Sequence, residues 1–187
     1  CQKHDCTIEA IEEYEPHLEQ HTVVYAGVDY AAILAEAEKE ADIIVWDGGN
    51  NDTPFYVPDI HITLVDPHRP GHELTYYPGE TNLLMADIVV INKEDTATPE
   101  NIALLKEHIQ QANPEAAVID AALPVTVENA ELIQGKRALI VEDGPTLTHG
   151  GMAFGAGTLA AERYEAKEII DPRPYAVGSI AEIFEKY

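Results

Sequence analysis

The residues best equipped for chemistry stand where short apolar runs end. Ile88-Val89-Val90-Ile91 leads straight into Asn92-Lys93-Glu94-Asp95, a tail whose donors and acceptors suit a guanine base. A carboxylate at Asp95 accepts from both N1–H and the exocyclic amine of guanine, whereas adenine presents an acceptor at N1. Asn92 reaches the far edge of a purine or braces the neighbouring loop, and the Lys93 stem lies along the base plane. A strand that simply ends in a charged turn accounts for the same residues without a ligand.

A second such cluster follows Ile43-Ile44-Val45-Trp46 and reads Asp47-Gly48-Gly49-Asn50-Asn51-Asp52. Asp47 has the form of a Walker B acid, a carboxylate held at a strand tip to position Mg²⁺. Gly48 and Gly49 let backbone N–H groups approach a γ-phosphate. An Asp-Gly turn is the ligand-free alternative. The third cluster, Asp66-Pro67-His68-Arg69-Pro70-Gly71-His72-Glu73, brings together a guanidinium, two imidazoles and two carboxylates. Arg69 suits bidentate binding of a phosphate or carboxylate substrate. His68 and His72 are candidates for acid, base or metal ligand, against a purely structural ion-pair network. Asp47, His68, Arg69 and His72 are therefore the candidate catalytic residues.

A fourth cluster, Asp143 to Gly151, carries Thr146, Thr148 and His149 ahead of a helix rich in Ala and Gly. It is material for an anion site at a helix N-terminus, or for a tight loop closed by close helix packing at Gly155, Ala156 and Gly157. Arg173, in Asp171-Pro172-Arg173-Pro174, adds a cation for substrate. Cys1, His4 and Cys6 offer three soft metal ligands, but without paired Cys-x-x-Cys spacing free thiols are the preferred reading.

Alternating strands and helices must position these loops. Thr7 to Gln20 reads as a surface helix or ordered loop, Thr22 to Gly27 as a strand, and Tyr30 to Ala41 as a helix with Asp29 at its N-cap. Strands are expected at Asp42–Asp47, Ile60–Val65, Asp87–Ile91, Val118–Ala122 and Ala138–Glu142. Helices are expected at Glu80–Ala86, at Pro99–Gln111 with Pro in the first helical position, in the small-residue stretch that runs to Arg163, and at Ile180–Lys186. The pattern predicts an α/β class, a layered, mostly parallel sheet flanked by helices, with ligands gathered beyond the carboxyl ends of strands. Residues 1–122 are expected to form the core of a nucleotide-binding domain. Residues 123–187 continue that domain or begin a second subdomain.

Composition narrows the partners. The 187 residues hold 34 acidic and 11 basic side chains, a formal charge of −23. Such a field repels nucleic acid and anionic membrane surfaces, so neither is an expected partner. No apolar run is long enough for a membrane span and no signal-peptide pattern opens the chain, so the cytoplasm is the default compartment. No Gly-x-x-x-x-Gly-Lys-Ser/Thr occurs anywhere in the chain.

The clusters at 47–52, 66–73 and 92–95, together with Tyr77-Pro78-Gly79-Glu80-Thr81-Asn82 and Glu142 to Gly151, resemble the successive signatures of the cyclic 2,3-diphosphoglycerate synthetase family. The similarity runs over essentially the whole chain. It implies a P-loop NTPase-like fold, ATP-driven closure of 2,3-diphosphoglycerate to its cyclic anhydride with Mg²⁺, and a longer parent protein carrying the phosphate-binding loop upstream. The 187 residues alone are then expected to show little activity. Two positions depart from a regulatory GTPase. Asn50 stands where Asp-x-x-Gly would place glycine, and Ala121-Ala122 lacks the Ser-Ala-Lys usual near a guanine carbonyl. ATP and GTP both stay open as cofactor. A nucleotide-dependent switch or metallochaperone, with His4, Cys6 or the His68/His72 pair as cargo ligands, is the alternative from another class.

Overall fold

A computed structural model describes residues 7–48, 52–142 and 154–186. They fall into two compact units: the described residues up to Ile91 with Pro99–Ile119, and Asn92–Thr98 with the described residues from Asp120 onward.

The first unit is built on a three-stranded sheet, order β1-β2-β3, from β1 (Ile62–Val65), β2 (Ile88–Ile91) and β3 (Ala117–Asp120). β1 and β2 are parallel, in register from Ile62 opposite Ile88 to Val65 opposite Ile91. Being central, β2 is hydrogen-bonded on both edges, which suits its unbroken β-branched run. Its Val89 and Ile91 are fully buried, with Val65, Leu83, Ala86, Leu105 and Ile109 forming the core around them. The crossover from β1 to β2 runs through α3 (His72–Thr75) and α4 (Gly79–Met85), and β2 leads to β3 through α5 (Pro99–Ala112). Leu105 and Ile109, one turn apart on α5, supply its buried stripe.

Asn113, just beyond α5, closes α4. Its amide donates to the carbonyls of Leu83, Leu84 and Ala86 at 3.0, 3.4 and 2.8 Å, at a helix end where carbonyls run short of intrahelical donors; the Leu83 carbonyl also takes the Ala86 amide at 3.3 Å. Asn113→Ala should therefore cost about 1–3 kcal/mol, read as a lower denaturation midpoint with unchanged slope.

Ahead of this sheet lie α1 (Ile8–Glu19) and α2 (Tyr30–Ala37). Asp29 caps α2 as expected, accepting from the Ala32 amide at 3.0 Å. The two strands expected at 22–27 and 42–47 are a correction: neither enters a ladder among the described residues. Val23, Ile43 and Val45 remain 62, 82 and 82 % exposed. Apolar β-branched composition favours an extended backbone, but a strand exists only where a neighbour accepts its amides. These two segments instead line a cleft.

The second unit holds a two-stranded parallel sheet, β4 (Arg137–Leu139) with β5 (Glu168–Ile170), joined through α6 (Ala156–Arg163). α7 (Ser179–Lys186) follows.

Candidate functional site

Asp47 is exposed on a cleft of about 930 Å³ whose walls come from α1, residues 22–27, α2 and residues 43–48. Its lining residues include the aromatic Tyr30, Trp46 and Tyr56. Tyr30 stacks on Phe55 at 4.2 Å, Trp46 meets Phe55 edge-on, and the Tyr56 hydroxyl donates to the Tyr30 carbonyl. A Cβ at Gly48 would come within 2.4 Å of the Trp46 indole, so any side chain there would have to displace the ring. The chain beyond this turn is tied down by Asn82, only 3 % exposed, whose amide donates to the Asp52 carbonyl at 2.9 Å. The Thr63 hydroxyl donates in turn to the Asn82 carbonyl. Gly49 lies outside the described residues.

The Asp66–Glu73 loop is braced from within. Asp66 takes the His68 amide on one oxygen and the Arg69 guanidinium on the other, at 2.9 and 2.8 Å. Pro67 is fully buried. Gly71 has φ of 99°, a left-handed turn that favours glycine, and its amide donates to Glu73 at 2.8 Å. The other Glu73 oxygen meets His108 Nδ1 of α5 at 2.6 Å. His72 is exposed and its ring lies 4.6 Å from that of Tyr76. Loop and cleft are distinct features of the first unit: none of His68, Arg69 and His72 lines the Asp47 cleft.

In the second unit the Asn92–Asp95 turn is joined to the loop after β3. Lys93 has φ of 57° and its amide donates to the Asn92 side chain at 2.9 Å. The Glu94 amide donates to the Ala121 carbonyl, and Asp95 Oδ1 accepts the Leu123 amide at 2.9 Å. The Asn92–Asp95 turn and the loop after β3 therefore meet, and one Asp95 oxygen serves that junction.

Glu142, given no role by sequence, occupies the start of α6. Its carboxylate accepts the amides of Gly155, Gly157 and Thr158 and the Thr158 hydroxyl, at 2.6–3.1 Å. A Cβ on Gly155 or Gly157 would collide with Glu142 or Ile140. The helix N-terminus, read from sequence as either an anion site or a closely packed loop, is thus filled by the protein's own carboxylate. Burial alone would raise the Glu142 pKa, but the Thr158 hydroxyl and the three amides outweigh it and hold the carboxyl below its ordinary value. A depressed folded-state value means that the clamp stabilises above the unfolded carboxyl pKa and is lost as pH falls through the folded one. Glu142→Gln should lower stability at neutral pH and flatten the acid limb of a stability–pH curve, measured by denaturation from neutral pH down through the carboxylate range. Thr146, Thr148 and His149 lie outside the described residues. Arg173 is exposed and bound by its neighbour Asp171 through three side-chain contacts of 2.8–3.1 Å, which lower the Asp171 pKa and raise its own.

No group of three or more His, Cys, Asp or Glu that could hold a metal occurs among the described residues, and Cys1, His4 and Cys6 lie outside them. Mg²⁺ needs no such cage: it takes one or two carboxylates and completes its shell with water and substrate phosphates. Asp47, an exposed carboxylate on a cleft, fits that donor chemistry. No described helix is long and apolar enough to cross a membrane.

Parallel sheets flanked by helices, with polar loops after the strands, place the chain in the α/β class with the layout of a P-loop domain. Residues 20–122, more than half the chain, match the model of the cyclic 2,3-diphosphoglycerate synthetase P-loop domain, and the chain belongs to that family. It is 64 % identical to arginine synthetase ArcE of Thermococcus kodakarensis over 185 residues, 99 % of this chain and 41 % of that protein. Cyclic 2,3-diphosphoglycerate synthetase of Thermococcus sibiricus is 30 % identical over 111 residues, 58 % of this chain and 25 % of its own length. That of Pyrococcus furiosus is 30 % identical over 98 residues, 50 and 23 % of the two chains. The chain spans about two fifths of the first relative and a quarter or less of the other two.

Proposed function

We propose that the chain is part of a Mg²⁺- and nucleotide-dependent synthetase whose small-molecule partner is arginine or its direct precursor. The observation that carries this reading is the 64 % identity to arginine synthetase ArcE across nearly the whole chain. The nucleotide is ATP or GTP. Asp47 positions the metal, Asn92, Lys93 and Asp95 face the base, and a phosphate-binding loop comes from sequence outside these 187 residues. Arg69, already aligned by Asp66, takes the carboxylate of the amino acid, which is the fork-shaped pairing a guanidinium makes best. His68 and His72 stand beside it as proton carriers. Positioning and charge neutralisation supply most of the rate, as in phosphoryl transfer generally.

A second reading, closure of 2,3-diphosphoglycerate to its cyclic anhydride, is favoured by the family match over residues 20–122. The full-length protein separates the two. Nucleotide- and Mg²⁺-dependent formation or consumption of arginine, followed by amino-acid analysis, supports the first. A cyclic product from 2,3-diphosphoglycerate supports the second, and neither activity in the intact protein overturns both.

A further inference from the structure

The Asp66–Glu73 loop depends on a residue far from it in sequence. The Glu73 side chain is well enclosed, 5 % exposed against 22 % for its partner His108. Its two oxygens are used separately. One meets His108 at 2.6 Å, and the other accepts the Gly71 amide at 2.8 Å. That amide belongs to the left-handed residue from which α3 begins with His72. The Gly71 carbonyl is held too, by the Thr75 hydroxyl at 2.8 Å. Arg69 is fixed by Asp66 on the other side, so the loop is anchored at each end. The Glu73 anchor reaches outside the loop, to α5. A carboxylate this enclosed has little water to replace a lost partner, so its orientation follows the imidazole.

We propose that His108 is a positioning residue for this loop: through Glu73 it sets the Gly71 turn, and so the direction in which Arg69 and His72 meet the substrate. It does not touch substrate itself. The role deepens the proposed function and rests on it only where activity is the readout.

The test uses the full-length protein with His108→Leu, which keeps bulk but removes the partner, and His108→Gln, which keeps a hydrogen-bonding group. Hydrogen exchange in the peptide covering residues 66–76 should quicken at least about tenfold in His108→Leu, while the β1–β2 core is unchanged, and His108→Gln should restore most of the protection. In steady-state kinetics His108→Leu should raise KM for the carboxylate-bearing substrate about tenfold, with a smaller change in kcat, and His108→Gln should recover it. Unchanged exchange at 66–76 in His108→Leu overturns the proposal whatever the activity. Altered exchange with rescue, in a wild-type protein that turns over neither arginine nor 2,3-diphosphoglycerate, upholds the positioning role and sinks the functional reading instead.

Discussion

Asp47→Asn in the full-length protein is expected to lower kcat by about 10²–10³-fold, the usual scale for removing one preorganised electrostatic contact to developing charge. The substitution keeps size and shape and removes only the charge. Asp47 is exposed at the lip of its cleft, and exposed positions away from caps and networks tolerate substitution within about 0.5 kcal/mol. The thermal midpoint should therefore stay put while turnover collapses. If Asp47 positions the metal as proposed, titrating Mg²⁺ should not restore the rate, because the ligand that sets where the ion sits is gone. Wild-type kcat in Asp47→Asn, or a loss that tracks unfolding, would remove this residue from the metal-positioning role.

Leu105→Ala carries the largest expected effect on stability, about 2–5 kcal/mol. Leu105 is completely buried in the cluster where α5 covers β2, together with Leu83, Val89 and Ile91. The truncation strips dispersion contacts and leaves a void that a sheet on one side and helices on the other cannot readily close. The consequence reaches further than the core. α5 also carries His108, which holds Glu73, and leads into Asn113, which closes α4. Loosening α5 should thus raise exchange in the 66–76 peptide as well as lower the denaturant midpoint. Replacing exposed Leu104, the adjacent residue, by Ala gives the control: a change within about 0.5 kcal/mol. Equal losses at the two positions would show that α5 does not pack as described.

How much of the fold is legible in sequence depends on the range over which each feature is decided. β2 is plain because a central strand paired on both edges is apolar throughout, and Ile88 to Ile91 is. α2 and α5 are marked by Asp29 and Pro99, residues whose effect is confined to one turn. The order of polar clusters along the chain is enough to place it in its family, because signatures of that length survive as sequence. The segments 22–27 and 42–47 mislead for the opposite reason: their composition matches a strand, but a ladder belongs to two segments at once.

The site shows the same division. Residue types at 47, 66–73 and 92–95 follow from sequence alone, since which atoms donate, accept or carry charge is a property of each side chain. Which atoms they are given to does not. Nothing near His108 distinguishes it from any half-exposed helix residue until packing of α5 brings it to Glu73, 35 positions away. Asp95 looks poised for a base, yet the fold turns one oxygen to Leu123, 28 positions on. Glu142 looks like the end of a strand and becomes the anion of its own helix. Local preference is written in dihedral angles and periodicity, which a short stretch of chain carries by itself. Pairing between distant groups is decided only when packing removes water from around them and leaves each charge the neighbours it has.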